Sequence, residues 1–305
     1  MLNDSHDRPL LALSLRLAGI VSMSLMAAMI KIAGELDIHL IEIIFWRQAV
    51  TLPMVIVWAL ATTGSLSMLA TRRPGAHFVR SLYGVVGMVF NFATVLLLPL
   101  AEAMTLSFSA PIFAVVLSVL LLGEKVHIWR WGAVAMGFVG VLIITQPGGG
   151  EMPLLGVGAG VGGAIMIALI SIQIRGLTRT EDPLAIVFFF AAVTVIGMLP
   201  LMWFFGRAHT GVEWLALAGV GVFGTIGQFL NTLAIRYGKV SSVIVMDYTG
   251  LIWATLLGWL FFANLPPLTT WIGAPLVVGA GLVIAWRERV RARRAPVDPH
   301  PTPGT

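Results

Sequence analysis

Ten apolar runs of about 20 residues, separated by connections of a few residues, leave this chain little choice of fold. They fall at 13–34, 40–62, 77–98, 102–122, 128–146, 154–175, 184–206, 213–235, 240–262 and 268–286. Crossing about 30 Å of hydrocarbon at 1.5 Å per residue takes about 20 residues. A segment in lipid must also satisfy its own backbone hydrogen bonds, which a helix does. The expected class is therefore an all-α membrane protein with ten transmembrane helices. Composition agrees: 58% of the 305 residues are apolar and 11% are charged, whereas a soluble domain carries about a quarter of its residues as charge. The connections hold helix stoppers such as Arg72-Arg73-Pro74-Gly75, Pro147-Gly148-Gly149-Gly150, Asp182-Pro183 and Pro266-Pro267.

Several function classes fall away at once. There is no cysteine, which excludes disulfides, thiolate nucleophiles and Cys-ligated metals. The six histidines (His6, His39, His77, His127, His209 and His300) fall in or beside the connections with no two at ligand spacing. No metal, cofactor or catalytic triad is expected, and no ATP-binding motif is present. The net charge of +5 does not point to nucleic acid, because the basic residues form no face with stacking aromatics. They follow membrane topology instead. With the N-terminus inside, ten spans place all of the 19 Lys and Arg residues except Lys31, Arg47 and Arg207 on the cytoplasmic side. That is the positive-inside pattern for an even number of spans with both termini cytoplasmic. The N-terminus carries Asp4 and Asp7 where a signal peptide has basic residues, so the first run reads as a retained helix.

The two halves of the chain also echo each other. An offset of 140 pairs Gly87 with Gly227, Asn91 with Asn231, Leu117 with Leu257, Leu120 with Leu260 and Trp131 with Trp271. Five helices per half, an odd number, place the halves in opposite orientations. Inverted repeats suit alternating access around a site near the midplane. The expected organisation is a cytoplasmic segment 1–12, a first repeat 13–146, a second repeat 154–288 and a disordered basic tail 289–305.

Three segments carry a family resemblance. The first runs Leu98-Pro99-Leu100-Ala101-Glu102-Ala103, then Pro111-Ile112-Phe113, and ends Leu121-Leu122-Gly123-Glu124. The second is Glu42-Ile43-Ile44-Phe45-Trp46-Arg47. The third, Ser241 to Asn264, departs from the usual Gly-Glu ending with Ala263-Asn264. With these, the chain resembles the ten-helix EamA family of the drug/metabolite transporter superfamily. The resemblance implies an inner-membrane protein in which helices 1–4 and 6–9 surround a central cavity. It also implies secondary transport of small metabolites, with export of amino acids, aromatic or apolar ones included, as the leading activity. A vitamin, nucleoside or lipid-linked substrate is the alternative within transport. A structural subunit or an intramembrane enzyme is the alternative outside it.

Polar residues inside spans are the candidate functional groups, since each is costly in lipid without a partner or a wet cavity. Asn91, Asn231 and Gln228 offer amides near the midplane. Tyr83, Phe108, Tyr248, Trp253 and Trp46 are candidate cavity aromatics, and Phe108/Tyr248 and Phe113/Trp253 again match at the 140 offset. Asp247 is a candidate proton-coupling or amine-binding acid, or else a structural partner for a cation such as Lys31. Lys31 and Arg47 are candidate carboxylate contacts, although both also suit snorkelling, and Arg47 is a candidate partner for Glu42. Pro111, in mid-helix, should kink helix four, and its counterpart Leu251 beside Gly250 should bend helix nine differently. The basic tail is expected to touch anionic lipid. Gly158-Ala159-Gly160-Val161-Gly162-Gly163 fits a dinucleotide fingerprint literally, but it lies inside an apolar run and reads as a helix-packing face.

Overall fold

The computed structural model describes residues 9–123, 128–146, 152–177, 181–237 and 244–294. Among these the secondary structure is helical throughout: α1 (Pro9–Glu35), α2 (Leu40–Thr63), α3 (Pro74–Leu97), α4 (Leu100–Ser107), α5 (Ala110–Leu122), α6 (Ile128–Thr145), α7 (Leu154–Leu177), α8 (Pro183–Phe205), α9 (Gly211–Tyr237), α10 (Gly250–Phe262) and α11 (Leu268–Arg294). Short 3₁₀ turns cover Ser67–Leu69 and Ile244–Thr249. Taking Leu100–Leu121 as one span, nine segments of the described residues are long and apolar enough to cross a membrane. The tenth expected run, 240–262, begins outside the described residues and continues as the 3₁₀ turn and α10.

Local sequence explains the ends. Pro74 sits in the first turn of α3, and Pro183 in that of α8, where the missing N–H is harmless. Asp182 caps α8, its side chain accepting from Leu184 N at 2.8 Å. α2 and α5 end on left-handed glycines, Gly64 at φ 67° and Gly123 at φ 64°. The basic C-terminal segment is helical further than expected. α11 continues to Arg294, because Arg-Glu-Arg-Val-Arg-Ala-Arg-Arg consists largely of good helix formers with no glycine or proline. Residues 295–305 of that segment lie outside the described residues, as do residues 1–8 of the N-terminal one.

The expected kink in helix four is a full break. α4 stops at Ser107 and α5 starts at Ala110, so Pro111 falls in the first turn of α5 instead of mid-helix. Ser109 Oγ donates to Leu106 O at 2.6 Å, a carbonyl that also accepts from Ser109 N at 3.0 Å. The second half is also interrupted at the matching position, by a 3₁₀ turn instead of a short α-helix. At the 140 offset the 3₁₀ turn gives way to α10, and Thr249 Oγ1 donates to Met246 O at 2.7 Å. α5 and α10 are both 13 residues long. Both end left-handed, since Ala263 takes φ 52° where its counterpart is Gly123. Each interruption carries a hydroxyl that donates three residues back, and only the first is followed by a proline.

Packing follows the same pattern. α1 packs on α9 and α3 on α7, while α2 packs on α8 and α6 on α11. α1 also meets α10, as α7 meets α5. Exchanging the halves leaves this set of contacts unchanged. One core joins α1, α2, α3, α8 and α9 through Ile30, Ile43, Ile44, Phe92, Phe190 and Leu217. A second joins α5, α6 and α11 through Ile112, Ile144, Val277 and Ala280. Small residues allow the close approaches that lipid-embedded packing favours. At the α6–α11 crossing a β-carbon on Gly140 would lie 2.8 Å from Gly273 O. One on Gly132, elsewhere in α6, would meet nothing within 4 Å.

These contacts lead to two stability predictions. Gly140→Ala should cost about 1–3 kcal/mol, because backbone must move, whereas Gly132→Ala should be neutral or slightly stabilising; thermal unfolding in detergent compares them. His77 and Glu181 form a pair at 3.2 Å that ties α3 to the start of the α8 connection. Hydrogen bonds from Thr71 first, and from His77, hold the Glu181 carboxyl below its ordinary value. A depressed acid contributes stability above its unfolded pKa of about 4.3 and loses it as pH falls through the folded value. Glu181→Gln should therefore melt below wild type near neutral pH, with the gap closing on acidification to about pH 3.

Candidate functional site

A cavity of about 160 Å³ lies between α1, α3, α4 and α10. α1 supplies Met23, Ser24, Met26, Ala27 and Ile30; α3 supplies Asn91, Phe92 and Val95; α4 supplies Leu100, Ala103, Met104 and Ser107; and α10 supplies Ala254. The first half of the chain lines it, and the second half contributes Ala254. Its surface is mostly apolar and rich in methionine, whose unbranched thioether adapts to differently shaped contacts. Asn91 is the amide in the lining, with Nδ2 donating to Gly87 O at 2.7 Å. Ser24 Oγ is buried without a hydrogen-bond partner.

Polar contacts bind the halves together at the end of the bundle that carries the 36–39 and 206–210 connections. Glu42 Oε1, in the first turn of α2, accepts from His209 Nε2 at 2.9 Å and from Arg207 N at 3.1 Å. Both the His209 and Glu42 side chains are 1% exposed. Arg207 Nη2 donates to Glu213 Oε1 at 2.7 Å and to Leu36 O at 2.8 Å. Glu213 Oε2 accepts from Thr210 N at 2.6 Å and lies 3.6 Å from His209 Nδ1. Trp214 stands edge-on to both His209 and Trp46. Beside this cluster an open pocket of about 400 Å³ is lined by Lys31, Glu35, Asp37, His39 and Leu96 among others. Lys31 Nζ donates to Leu98 O at 2.9 Å, and so holds the end of α3 between pocket and cavity.

At the opposite end Arg16 grips Asp247 with two parallel bonds, Nε to Oδ1 at 2.6 Å and Nη2 to Oδ2 at 2.5 Å. This joins α1 to the turn before α10. Nearer the cavity, Phe108 and Tyr248 meet edge-on with ring centroids 5.1 Å apart. These are the two residues at the matching breaks.

The structure thus places Asn91 in the cavity and Phe108 and Tyr248 together beside it. Asn231, Gln228, Tyr83, Trp253 and Trp46 are not in the lining. Asn231 packs over Gly19 with its Oδ1 buried and unpartnered. Trp46 keeps a buried, unpartnered Nε1. Gly250 opens α10, its face toward Ile20 and Met104. Two expected pairings differ. Glu42 is held by Arg207 and His209 instead of Arg47, because five residues along a helix turn the side chains about 140° apart. Asp247 pairs with Arg16 instead of Lys31, because Lys31 lies 15 residues, roughly 22 Å, further along α1. The methionines and the His209 cluster went unread in the sequence. A Met23-x-x-Met26 pair on a helix facing glycines was the available signal for the former.

His209→Gln should remove a ring that fills the space between two carboxylates, leaving Glu42 less fully satisfied. The expected loss is about 1–3 kcal/mol in thermal unfolding; an unchanged melting temperature would show that Arg207 alone holds this end.

The comparisons agree with this architecture. The EamA-like transporter family matches the chain twice, over residues 10–146 and 154–286. The pseudopaline exporter of Pseudomonas aeruginosa is 29% identical over 265 residues, 87% of this chain and 92% of that one. The riboflavin transporter of Vibrio cholerae is 29% identical over 79% of this chain and 81% of its own length. The S-adenosylmethionine uptake transporter of Rickettsia felis is 26% identical over 94% and 97%. One crystal structure shares the fold with a TM-score of 0.62, at 22% identity over 92% of this chain and 99% of that one. With two matches that together span nearly its whole length, the chain belongs to the EamA-like transporter family: it is a multi-pass inner-membrane transporter of small metabolites.

Proposed function

We propose that the protein is a secondary transporter that exports amino acids by alternating access, with the two halves as inverted five-helix repeats and both termini in the cytoplasm. One observation carries this reading. Polar contacts join the two halves at both ends of the bundle, and a cavity lined by α1, α3 and α4 with Ala254 of the other half lies within it. The repeat reading is supported by the matched breaks at Ser109 and Thr249 and by a helix-contact pattern that survives exchange of the halves. Under the positive-inside distribution, the Glu42–His209 end faces outward and the Arg16–Asp247 end faces the cytoplasm.

Cavity size favours an amino acid over the larger solutes named for the relatives. About 160 Å³ is well below the roughly 300–1,000 Å³ of sites for drug-sized ligands. A lining of Met23, Met26, Met104 and Phe92 suits an apolar or aromatic side chain, and Asn91 supplies a neutral hydrogen-bonding group. A second reading, transport of a vitamin or a nucleoside-containing metabolite, is favoured by the riboflavin and S-adenosylmethionine relatives. It requires the methionines to swing aside and enlarge the cavity.

Counterflow of radiolabelled amino acids in proteoliposomes tests the proposal, with riboflavin and S-adenosylmethionine run alongside. Saturable counterflow of apolar or aromatic amino acids is the expected result. Transport of the larger solutes alone would establish the second reading. An imposed proton gradient, applied to wild type and to Asp247→Asn, tests coupling. We expect the gradient to raise the wild-type rate severalfold and to have no effect in the variant, since Asp247 is the acid bonded across the cytoplasmic end.

A further inference from the structure

Among the described residues Arg47 is buried in α2 without a carboxylate partner. It is 7% exposed. Its Nη1 donates to Gln48 Oε1 at 2.9 Å and its Nη2 to Gln228 Oε1 at 3.2 Å, which joins α2 to α9. Its Nε has no partner, nor has Nε2 of Gln48, a fully buried side chain. Glu42, the acid nearest in sequence, is occupied by Arg207 and His209. Both glutamines have turned their oxygens toward the guanidinium, so what the cluster still offers at Nε and at Gln48 is N–H donors. A buried cation without an anion is costly in lipid. Donors grouped around a planar guanidinium are complementary to a carboxylate, which an arginine edge holds in two parallel bonds.

The cluster adjoins the cavity through one side chain. Met26 lines the cavity, and its Sδ shares the space above Gly224 with Arg47: a β-carbon at 224 would lie 2.7 Å from Met26 Sδ and 3.3 Å from Arg47 Nε. Glycine at this position is what lets the thioether and the guanidinium sit side by side. A methionine tip is flexible, so its rotation connects the cavity to the arginine without backbone movement. Ser24, two residues earlier on α1, adds a buried hydroxyl without a partner.

We propose that Arg47, with Gln48, binds the carboxylate of the transported solute, which reaches it from the central cavity past Met26. The inference deepens the amino-acid reading above and rests on it. The solute's side chain is then left among the cavity methionines and Phe92. Uncharged solutes lack the group that offsets burial of the arginine, and the site selects against them.

The test uses counterflow of radiolabelled L-phenylalanine in proteoliposomes of the full chain. Competitors are unlabelled L-phenylalanine, its methyl ester and phenethylamine, neither of the last two having a carboxylate. The ester and the amine should compete about ten- to hundredfold more weakly than the acid, the factor for one lost charge-assisted contact. Arg47→Gln should raise the half-saturation concentration by a similar factor, and Arg47→Lys should recover part of it. Equal competition by ester and acid, or an unchanged half-saturation in Arg47→Gln, would overturn the proposal and leave the transport reading standing. If Arg47→Gln does not fold, the competition series on wild type decides alone. Where phenylalanine shows no counterflow, transport of uncharged riboflavin overturns the arginine's role. Transport of S-adenosylmethionine that the free carboxylate of an excess amino acid inhibits sustains it. Failure of every solute overturns the amino-acid reading, together with the role of Arg47 that rests on it.

Discussion

Inside hydrocarbon no water is available to take over a hydrogen bond that the chain leaves open, and most of this structure follows from that scarcity. A helix satisfies its interior by itself, but every departure from helix must be repaired by something nearby. Among the described residues the spans are interrupted at Ser109 and at the 3₁₀ turn that ends in Thr249. Each time a hydroxyl donates back to the carbonyl three residues earlier. These hydroxyls stand at matching positions, and the aromatic residues just before them, Phe108 and Tyr248, touch each other.

The same scarcity removes hydrophobic attraction between helices, since lipid tails are as apolar as leucine. Contact must come from close fit. α7 presents Gly160, Gly162 and Gly163 to Leu106, Phe90 and Asn91, while α9 presents Gly219, Gly224 and Gly227 to Met29, Met26 and Met23. The run that matches a nucleotide-binding fingerprint is therefore a packing face, as its apolar surroundings imply. The difference between the faces is informative. Two of the methionines laid on the α9 glycines, Met23 and Met26, also line the cavity, so its shape is set in part by the most adaptable side chains in the protein.

What the sequence discloses and what it hides divide along one line: local information is readable and distant pairing is not. Length and apolarity locate nearly every helix to within a few residues, and Pro74, Asp182-Pro183 and Gly123 mark ends where the chain does end a helix. The offset of 140 is visible in Asn91 and Asn231. It does not reveal that both halves are interrupted at the matching position, because one break carries Pro111 and the other carries none. Pairings are harder to read. Glu42 and His209 stand 167 residues apart and Arg16 and Asp247 stand 231 apart, so neither pair leaves a local pattern. Helical geometry does exclude Glu42–Arg47 and Lys31–Asp247, since the angle between side chains and the rise along a helix follow from residue numbers alone.

Under the alternating access proposed above, the placement of the polar groups along the bundle has an energetic logic. At the ends, Arg16–Asp247 and the Arg207–Glu213 contact lie within reach of water. Breaking them exchanges protein partners for solvent, and the net cost of such an exchange is about a kcal/mol per hydrogen bond. Closing the other end recovers a similar amount, so two states of comparable energy are available to the same chain. Arg47 and Gln48 are differently placed. Neither end of the bundle hydrates them unless the cavity opens, and their missing partner is an acceptor that no neighbouring residue supplies. The groups that change partners at low cost thus sit where a gate is needed. The groups with a standing deficit sit where the proposal brings the solute's carboxylate, and filling that deficit is what would distinguish the loaded carrier from the empty one.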